Sequence, residues 1–140
     1  MRFSFVFAEP RRLAMAFPEL RTVYGGAAYV PDVSFYRWER IPRDASGQLA
    51  DEATEPPDIA IEVVSRRQPM NRLIQRCTWY VDNGVQIALV ANPENESVLI
   101  FRRAQPVQTA RGRDAIDLTD VLPGFVLTAE QVFAGNHIEP

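Results

Sequence analysis

The chain has 140 residues, of which 46% are hydrophobic, and its 15 basic and 18 acidic side chains give a net charge of −3. This size suits one domain with a single hydrophobic core, and the charge balance provides no overall positive field of the kind that indicates nucleic-acid binding. The single cysteine, Cys77, and the single histidine, His137, argue against a disulfide framework, a thiolate metal site and a Ser-His-Asp triad. All 15 basic residues are arginine, which excludes a lysine nucleophile, a Schiff base and a P-loop lysine.

The predicted elements begin with a short strand over residues 3–7, whose phenylalanines alternate along one face. This segment reaches Glu9 and Pro10 too soon to be the apolar core of a signal peptide. No stretch of the chain approaches the roughly 20 apolar residues that a membrane span requires. We therefore expect a cytoplasmic protein that does not cross a membrane.

Extended segments and a long loop follow in the first half of the chain. Residues 13–17 alternate again, Gly25-Gly26 predicts a turn, and residues 28–37 are predicted as one extended stretch. Residues 41–57 are rich in Pro, Asp, Ser and Glu and show little periodicity. We interpret them as one surface loop, long enough to be functional or mobile.

Residues 58–65 (DIAIEVVS) form the clearest predicted strand, because the segment is almost continuously apolar and only Glu62 interrupts it. This pattern is typical of a strand that is buried on both faces. A helix is predicted from Pro69 to Asp82, with Asn83-Gly84 as its end. Its predicted inward residues are Leu73, Cys77 and Tyr80.

The last third of the chain predicts several short elements. They are a strand at 85–91, its hairpin partner at 97–102, short strands near 107–110 and 115–118, and a helix from Thr128 to Phe133. Thr128 is the expected N-cap of that helix. No internal repeat or second domain is evident.

Three acidic residues interrupt strand-like apolar segments: Asp32, Asp58 and Glu62. A carboxylate inside a buried strand costs several kcal/mol unless it is paired or binds a cation. Asp58 and Glu62 are about 13 Å apart along an extended strand, so they cannot both bind one ion. Asp32 and Glu62 lie on different strands and can share a Mg²⁺-type ion if those strands are neighbours in register.

Each acid also has a structural interpretation. Asp32 and Asp58 occupy positions where a carboxylate at the start of a strand accepts hydrogen bonds from local backbone N–H groups. Glu62 would instead form an ion pair with an arginine beside the core. The sequence leaves both interpretations open.

Four arginines follow the strand that contains Glu62: Arg66, Arg67, Arg72 and Arg76. Arg72 and Arg76 are four residues apart and therefore share one face of the predicted helix. The group is either a ridge that contacts phosphates beside the acidic site or a solvated helix face. We interpret the neighbouring Trp79 and Tyr80 as core or interface residues rather than as base-stacking groups.

Four short motifs lie at intervals along the chain. They are PDVSF at 31–35, PPDIAIEVVS at 56–65, NGV at 83–85 after a helix that contains Tyr80, and DVLPGFVL at 120–127. Together they resemble the Uma-type family of restriction endonucleases, within the PD-(D/E)XK nuclease superfamily. The resemblance extends from about residue 7 to 133. It implies an α/β fold with a restriction-endonuclease-like mixed β-sheet, a flanking helix and a short C-terminal helix.

The resemblance also implies metal-dependent hydrolysis of DNA phosphodiester bonds. Asp32 corresponds to the aspartate of the PD element and Glu62 to the acid of the (D/E)XK element, and both would bind Mg²⁺ or Mn²⁺. In this family the lysine typically lies on the following helix, four residues before a tyrosine, and that position is Arg76. Arg66, Arg67 and Arg72 would then contact DNA phosphates.

Three features depart from the family pattern. An arginine at position 76 stays protonated, so it can stabilise charge on a phosphate but cannot act as a base. The acid often found one turn earlier is replaced by Arg72. Family members also usually carry a further N-terminal segment, so we expect residues 1–140 to form a single nuclease-like domain that lacks this part.

The resulting expectation is a Mg²⁺-dependent DNA endonuclease of weakened or lost activity. The alternative is a catalytically degenerate copy that acts as a DNA-binding or dimerising module, and a third possibility is a fragment that a partner chain completes. Because the apolar face of residues 3–7 would have little cover, we expect a homodimer or a larger species.

Overall fold

The structure is a computed structural model that describes residues 12–134, and the elements are numbered here in chain order. The strands are β1 (Ala14–Pro18), β2 (Arg21–Tyr24), β3 (Ala27–Tyr29), β4 (Val33–Arg37), β5 (Glu52–Ala53), β6 (Ile59–Val63), β7 (Ile87–Asn92), β8 (Ser97–Phe101), β9 (Gln108–Arg111), β10 (Ala115–Asp117) and β11 (Val126–Thr128). The helices are α1 (Met70–Asp82) and α2 (Ala129–Ala134).

A six-stranded mixed sheet with the order β1-β4-β6-β7-β8-β9 is the main architectural element. β6 and β7 are parallel and are connected through α1, whereas the other neighbouring strands are antiparallel. Two smaller sheets have the orders β3-β2-β5 and β10-β11. The predicted mixed sheet with a flanking helix and a short C-terminal helix is confirmed.

The pairing of β4 with β6 determines where the candidate acids lie. The two strands are antiparallel, with Val33 opposite Ile61 and Phe35 opposite Ile59. Asp32 immediately precedes β4, so it lies beside the end of β6 that contains Glu62. The condition set by the sequence, that the two acids belong to neighbouring strands in register, is therefore met.

The core lies on both faces of the main sheet because successive residues of a strand point to opposite sides. Ile59 and Ile61 pack against apolar residues of the C-terminal region, among them Leu122 and Phe133. Ala60, which lies between them, packs on the other face against residues of α1. This arrangement confirms the prediction that β6 is buried on both faces.

Helix α1 has the predicted inward face, since Leu73, Cys77 and Tyr80 are fully buried. The helix ends as predicted: the backbone N–H of Asn83 donates to the carbonyl oxygen of Tyr80 over 3.1 Å. Gly84 then adopts a φ of +113°, and a Cβ there would come within 2.9 Å of Pro56. Glycine is therefore required at this turn for both conformation and space.

The C-terminal helix also begins as predicted. The backbone N–H of Gln131 donates to Oγ1 of Thr128 over 3.3 Å, and the backbone N–H of Thr128 donates to Oε1 of Gln131 over 3.0 Å. This reciprocal pair is a capping box, which satisfies two backbone donors at the start of α2. Strand β11, which precedes the helix and pairs with β10, was not predicted.

Two predictions from the first half of the chain are wrong. Residues 28–37 are not one stretch but contribute to β3 and β4 in different sheets, separated near Pro31, which has no N–H to donate to a ladder. The loop 41–57 contains the two-residue strand β5, which pairs with β2 and is too short to show periodicity. The strand predicted at 3–7 lies outside the described residues. Neither helix of residues 12–134 is long and apolar enough to span a bilayer.

Candidate active site

Glu62 is a carboxylate in the interior of the fold, 1% exposed near the end of β6. The β6 strand is otherwise apolar, and α1 covers the face of the sheet from which the Glu62 side chain projects, as its contacts with Arg76 and Tyr80 show. The Tyr80 hydroxyl donates to its Oε2 over 2.9 Å, and Nη1 of Arg76 donates to its Oε1 over 3.2 Å. Both carboxylate oxygens therefore have a donor from α1, as a buried acid requires.

Asp32 faces the same end of β6 from the start of β4. Its Oδ2 accepts a hydrogen bond of 2.6 Å from the backbone N–H of Val63, the residue after Glu62. This N–H belongs to the neighbouring strand, 31 residues along the chain, and is not the local partner that the structural interpretation of Asp32 proposed. Asp32 and Glu62 are thus brought together by the β4–β6 pairing.

The protonation of Glu62 reflects this environment. Burial raises the pKa of its carboxyl from the ordinary 4.5 to about 7, and the negative charge of Asp32 contributes to the increase. The hydrogen bond from Tyr80 and the positive charge of Arg76 act in the opposite direction and lower it. A cation placed beside the two acids would favour the ionised form of Glu62.

Arg76 connects the acid to the surface of the helix. Besides its ion pair with Glu62, its guanidinium lies 5.5 Å from the centre of the Tyr29 ring, close enough for a cation–π contact. Its side chain is 21% exposed. The ion pair is what the structural interpretation of Glu62 requires, and it also puts a fixed positive charge next to the acid pair.

The other three arginines do not form one cluster with Arg76. Arg72 is exposed one turn earlier on α1 and shares with Arg76 a cleft of about 410 Å³, lined also by Tyr29, Gln75 and Trp79, which we call the α1 cleft. Arg66 lines a different cleft of about 340 Å³, together with Asn92 at the end of β7 and residues that follow β6 and β7. Arg67 is exposed between β6 and α1.

Comparison with known proteins identifies the family. A family model named Uma2 and described as "Putative restriction endonuclease" matches residues 2–130. The chain belongs to the Uma2 family. A crystal structure titled as a "putative nuclease belonging to DUF820" from Anabaena variabilis has a TM-score of 0.84 and 27% identity to this chain, covering 92% of this chain and 73% of that one. The comparison with curated proteins found no match.

Membership of Uma2 confirms the resemblance drawn from the spaced motifs and the nuclease-like α/β fold. The resemblance drawn from the sequence implies that Arg76 occupies the family's lysine position, four residues before Tyr80, and this assignment stays a prediction. Both contact the same carboxylate, that of Glu62, from one face of α1. Arg76, Tyr80 and Glu62 thus meet in space.

Asp58 is buried immediately before β6 and takes no part in this arrangement. Its Oδ2 accepts the backbone N–H of Arg37 over 2.7 Å, and its Oδ1 pairs with Nη1 of Arg40 over 2.7 Å. The structural interpretation of Asp58 is correct in that the carboxylate accepts a backbone N–H, although the donor lies on β4 rather than nearby in the chain. The sequence gives no signal for the ion pair with Arg40, because the two residues are 18 positions apart in the chain.

Two tyrosines contribute to the site in ways that the sequence did not predict. The prediction that Tyr80 belongs to the core is correct for its ring. Its hydroxyl, however, also donates a hydrogen bond to the carboxylate of Glu62. The signal for this role in the sequence was the family resemblance, which implies a tyrosine four residues after position 76. Tyr29 was not singled out, since it reaches the α1 cleft only through the pairing of β2 with β3.

Proposed function

We propose that this protein is a metal-dependent DNA endonuclease, in which Asp32 and Glu62 hold Mg²⁺ or Mn²⁺ and Arg76 takes the place of the family's lysine. The observation that carries the proposal is the pairing of β4 with β6. Through this pairing, Asp32 accepts a hydrogen bond from the backbone N–H of Val63, the residue after Glu62. A buried carboxylate beside a second acid is costly unless a cation or a proton compensates the pair.

The donor set suits a small, hard divalent cation. Residues 12–134 contain no group of three or more His, Cys, Asp or Glu side chains that could enclose an ion. Mg²⁺ commonly binds through one or two carboxylates and completes its coordination with water and substrate phosphates. When bound, the ion supplies charge stabilisation at the phosphate and lowers the pKa of a water molecule.

Arg76 and Tyr80 support this site in different ways. The guanidinium of Arg76 stays charged and can stabilise the negative charge that builds on phosphate, but it cannot accept a proton from water. The hydroxyl of Tyr80 holds one oxygen of Glu62 in position. Loss of one well-placed electrostatic donor commonly costs about 10²–10³ in rate, so we expect weak hydrolysis in a chain without lysine.

The DNA backbone would be contacted by Arg66, Arg67 and Arg72. All three are exposed, and none of them takes part in the ion pairs found among residues 12–134. Uncompensated guanidinium groups near a nuclease site suit phosphate binding. The proposal includes the cytoplasmic compartment and the homodimeric or larger assembly expected from the sequence.

A second candidate function is that of a catalytically degenerate module that binds DNA or dimerises. The observation in its favour is the ion pair between Arg76 and Glu62, which already supplies a positive charge to the buried acid without a metal ion. In this case the two acids have no catalytic role, and the arginines near them only bind DNA.

Nicking of supercoiled plasmid DNA tests the two functions against each other. We expect slow nicking by the wild type, faster with Mn²⁺ than with Mg²⁺, and none by the Asp32→Ala variant. Arg76→Lys should raise the rate about tenfold or more, because it restores the family's catalytic cation. Arg103→Lys, at an exposed site outside the candidate centre, is the matched control and should leave the rate unchanged.

Two results would contradict the endonuclease. Nicking that persists in Asp32→Ala would show that another group or a contaminant is responsible. If neither the wild type nor Arg76→Lys nicks DNA while both still bind it, the binding module is the correct function.

A further inference from the structure

The α1 cleft has one aromatic wall. Tyr29 of β3 and Trp79 of α1 lie side by side there, with ring centres 4.9 Å apart and planes inclined by 55°. Both side chains are partly exposed, and Arg72, Gln75 and Arg76 complete the lining. The cleft therefore combines ring surface with charged and amide groups in about 410 Å³, within the usual size of a small-ligand site.

The aromatic wall is held in place by its neighbours. Tyr24 lies 5.2 Å from Trp79, and Tyr80 lies 5.6 Å from Tyr29, between ring centres. The turn at Gly25 approaches α1 so closely that a Cβ there would lie 2.8 Å from Oδ1 of Asn83. The β2–β3 hairpin is thus packed directly against the helix, so the two rings are positioned before any ligand arrives.

The cleft is connected to the candidate active site through Arg76. This residue lies 5.5 Å from the Tyr29 ring centre and 3.2 Å from Oε1 of Glu62. Arg72, one turn away, forms no ion pair with any residue of the described part of the chain. An occupant of the cleft would therefore meet an aromatic surface and the positive charges of Arg72 and Arg76, and Arg76 in turn contacts Glu62.

We infer that the α1 cleft binds one unpaired nucleotide of the DNA substrate, with its base on Tyr29 and Trp79 and its phosphate at Arg72 and Arg76. The inference rests on the proposed function and narrows the substrate to DNA that contains a single-stranded region. Bases in a continuous duplex have both faces covered by their neighbours, so only an unpaired base can stack on a side chain.

Stacking on fixed rings is tolerant of sequence, because every base has a π face. Guanidinium groups beside the rings match the phosphate of the same nucleotide. The charges of Arg72 and Arg76 explain why the occupant is a nucleotide rather than a neutral aromatic molecule. Because Arg76 lines the cleft and also contacts Glu62, the adjoining phosphodiester would lie toward the candidate centre.

Fluorescence of Trp79 provides a direct test in the intact protein. The chain has two tryptophans, so the Trp38→Phe variant leaves Trp79 as the single reporter. Titration with oligothymidylate in EDTA, where no cleavage occurs, should quench this fluorescence, and a blunt duplex of equal length should quench it far less. Anisotropy of the labelled DNAs should show about tenfold tighter binding of the single strand.

Substitutions separate stacking from general attraction to DNA. Tyr29→Leu and Trp79→Leu keep an apolar side chain but remove the ring, and each should weaken binding of the single strand about tenfold without changing duplex binding. Trp38→Leu removes an aromatic ring outside the cleft and should change neither affinity. Thermal melting of each variant confirms that it is folded.

Binding of both DNAs with equal affinity and without quenching of Trp79 would overturn the inference and leave the proposed endonuclease intact. Plasmid nicking that requires Asp32, together with absence of quenching by the single strand, would have the same consequence. Failure to bind either DNA would contradict the inference and the proposed function together.

Discussion

The hydroxyl of Tyr80 donates to Oε2 of Glu62 over 2.9 Å, between two side chains that are both removed from solvent. The tyrosine lies on α1 and the glutamate on β6, so this bond links the helix to the sheet at the candidate centre. Burial and the adjacent carboxylate raise the pKa of the Tyr80 hydroxyl, which therefore stays protonated and remains a donor. The geometry of Glu62 thus depends on a residue that also belongs to the core.

Replacement of Tyr80 by phenylalanine should affect both stability and the site. Loss of a hydrogen bond to a buried carboxylate should lower the free energy of unfolding by about 1.5–3 kcal/mol, measured by urea denaturation at neutral pH. The matched control is Tyr36→Phe, which removes an equally buried hydroxyl that donates to the carbonyl of Glu55 over 2.8 Å. We expect Tyr80→Phe alone to reduce affinity for Mn²⁺. An equal reduction in both variants would show that the effect comes from general destabilisation.

The raised pKa of Glu62 predicts a specific dependence of stability on pH. The unfolded chain has the ordinary pKa of 4.5 and the folded protein a value of about 7, so the unfolded state ionises first. The stability that this carboxyl contributes is complete below pH 4.5 and declines as pH rises through 7, by about 3 kcal/mol at most. Urea denaturation in EDTA from pH 4 to 8 should show this decline in the wild type.

The Glu62→Gln variant cannot ionise and should therefore lose this part of the pH dependence. Glu130→Gln, at an exposed position in α2, is the control and should keep the slope of the wild type. Identical slopes in the wild type and Glu62→Gln would mean that Glu62 has an ordinary pKa in the folded protein.

Metal binding should depend on both acids of the site. Calorimetric titration with Mn²⁺ or Mg²⁺ should reveal one weak site in the wild type, since the cation relieves repulsion between Asp32 and Glu62. Glu62→Gln and Asp32→Asn should each abolish it. Asp82→Asn removes an exposed acid at the end of α1 and should bind as the wild type does. Equal binding by the wild type and Glu62→Gln would remove the metal assignment.

Contact of arginines with DNA phosphates should be visible in the salt dependence of binding. Each phosphate neutralised by a cation contributes about one unit to the slope of log K against log salt. Arg72→Gln should therefore reduce this slope by about one, and Arg66→Gln and Arg67→Gln should each do the same. Arg103→Gln, an exposed arginine that follows β8, should leave the slope unchanged. Unchanged slopes in the first three variants would assign these residues to a merely solvated surface.

The sequence alone determined the elements whose signals are local. The apolar run of 58–65 predicts β6, and the spacing of Leu73, Cys77 and Tyr80 predicts the inward face of α1. Periodicity is sufficient here because burial imposes a repeat of two on a strand and of 3.6 on a helix. The identity of the acids and arginines was likewise evident, as was the family resemblance carried by the spaced motifs.

The tertiary structure decided which of these residues meet. The neighbour of β6 is β4, and only this antiparallel pairing, with Val33 opposite Ile61, places Asp32 beside Glu62. The α1 cleft likewise exists because the β2–β3 hairpin packs Tyr29 against Trp79, although 50 residues of sequence separate them. Strand pairing and helix packing join segments that are distant in sequence, and the periodicity of one segment contains no information about its partner. Asp58 is a further example. The sequence shows that an acid is present, but only the fold shows that Arg40 is its ion-pair partner.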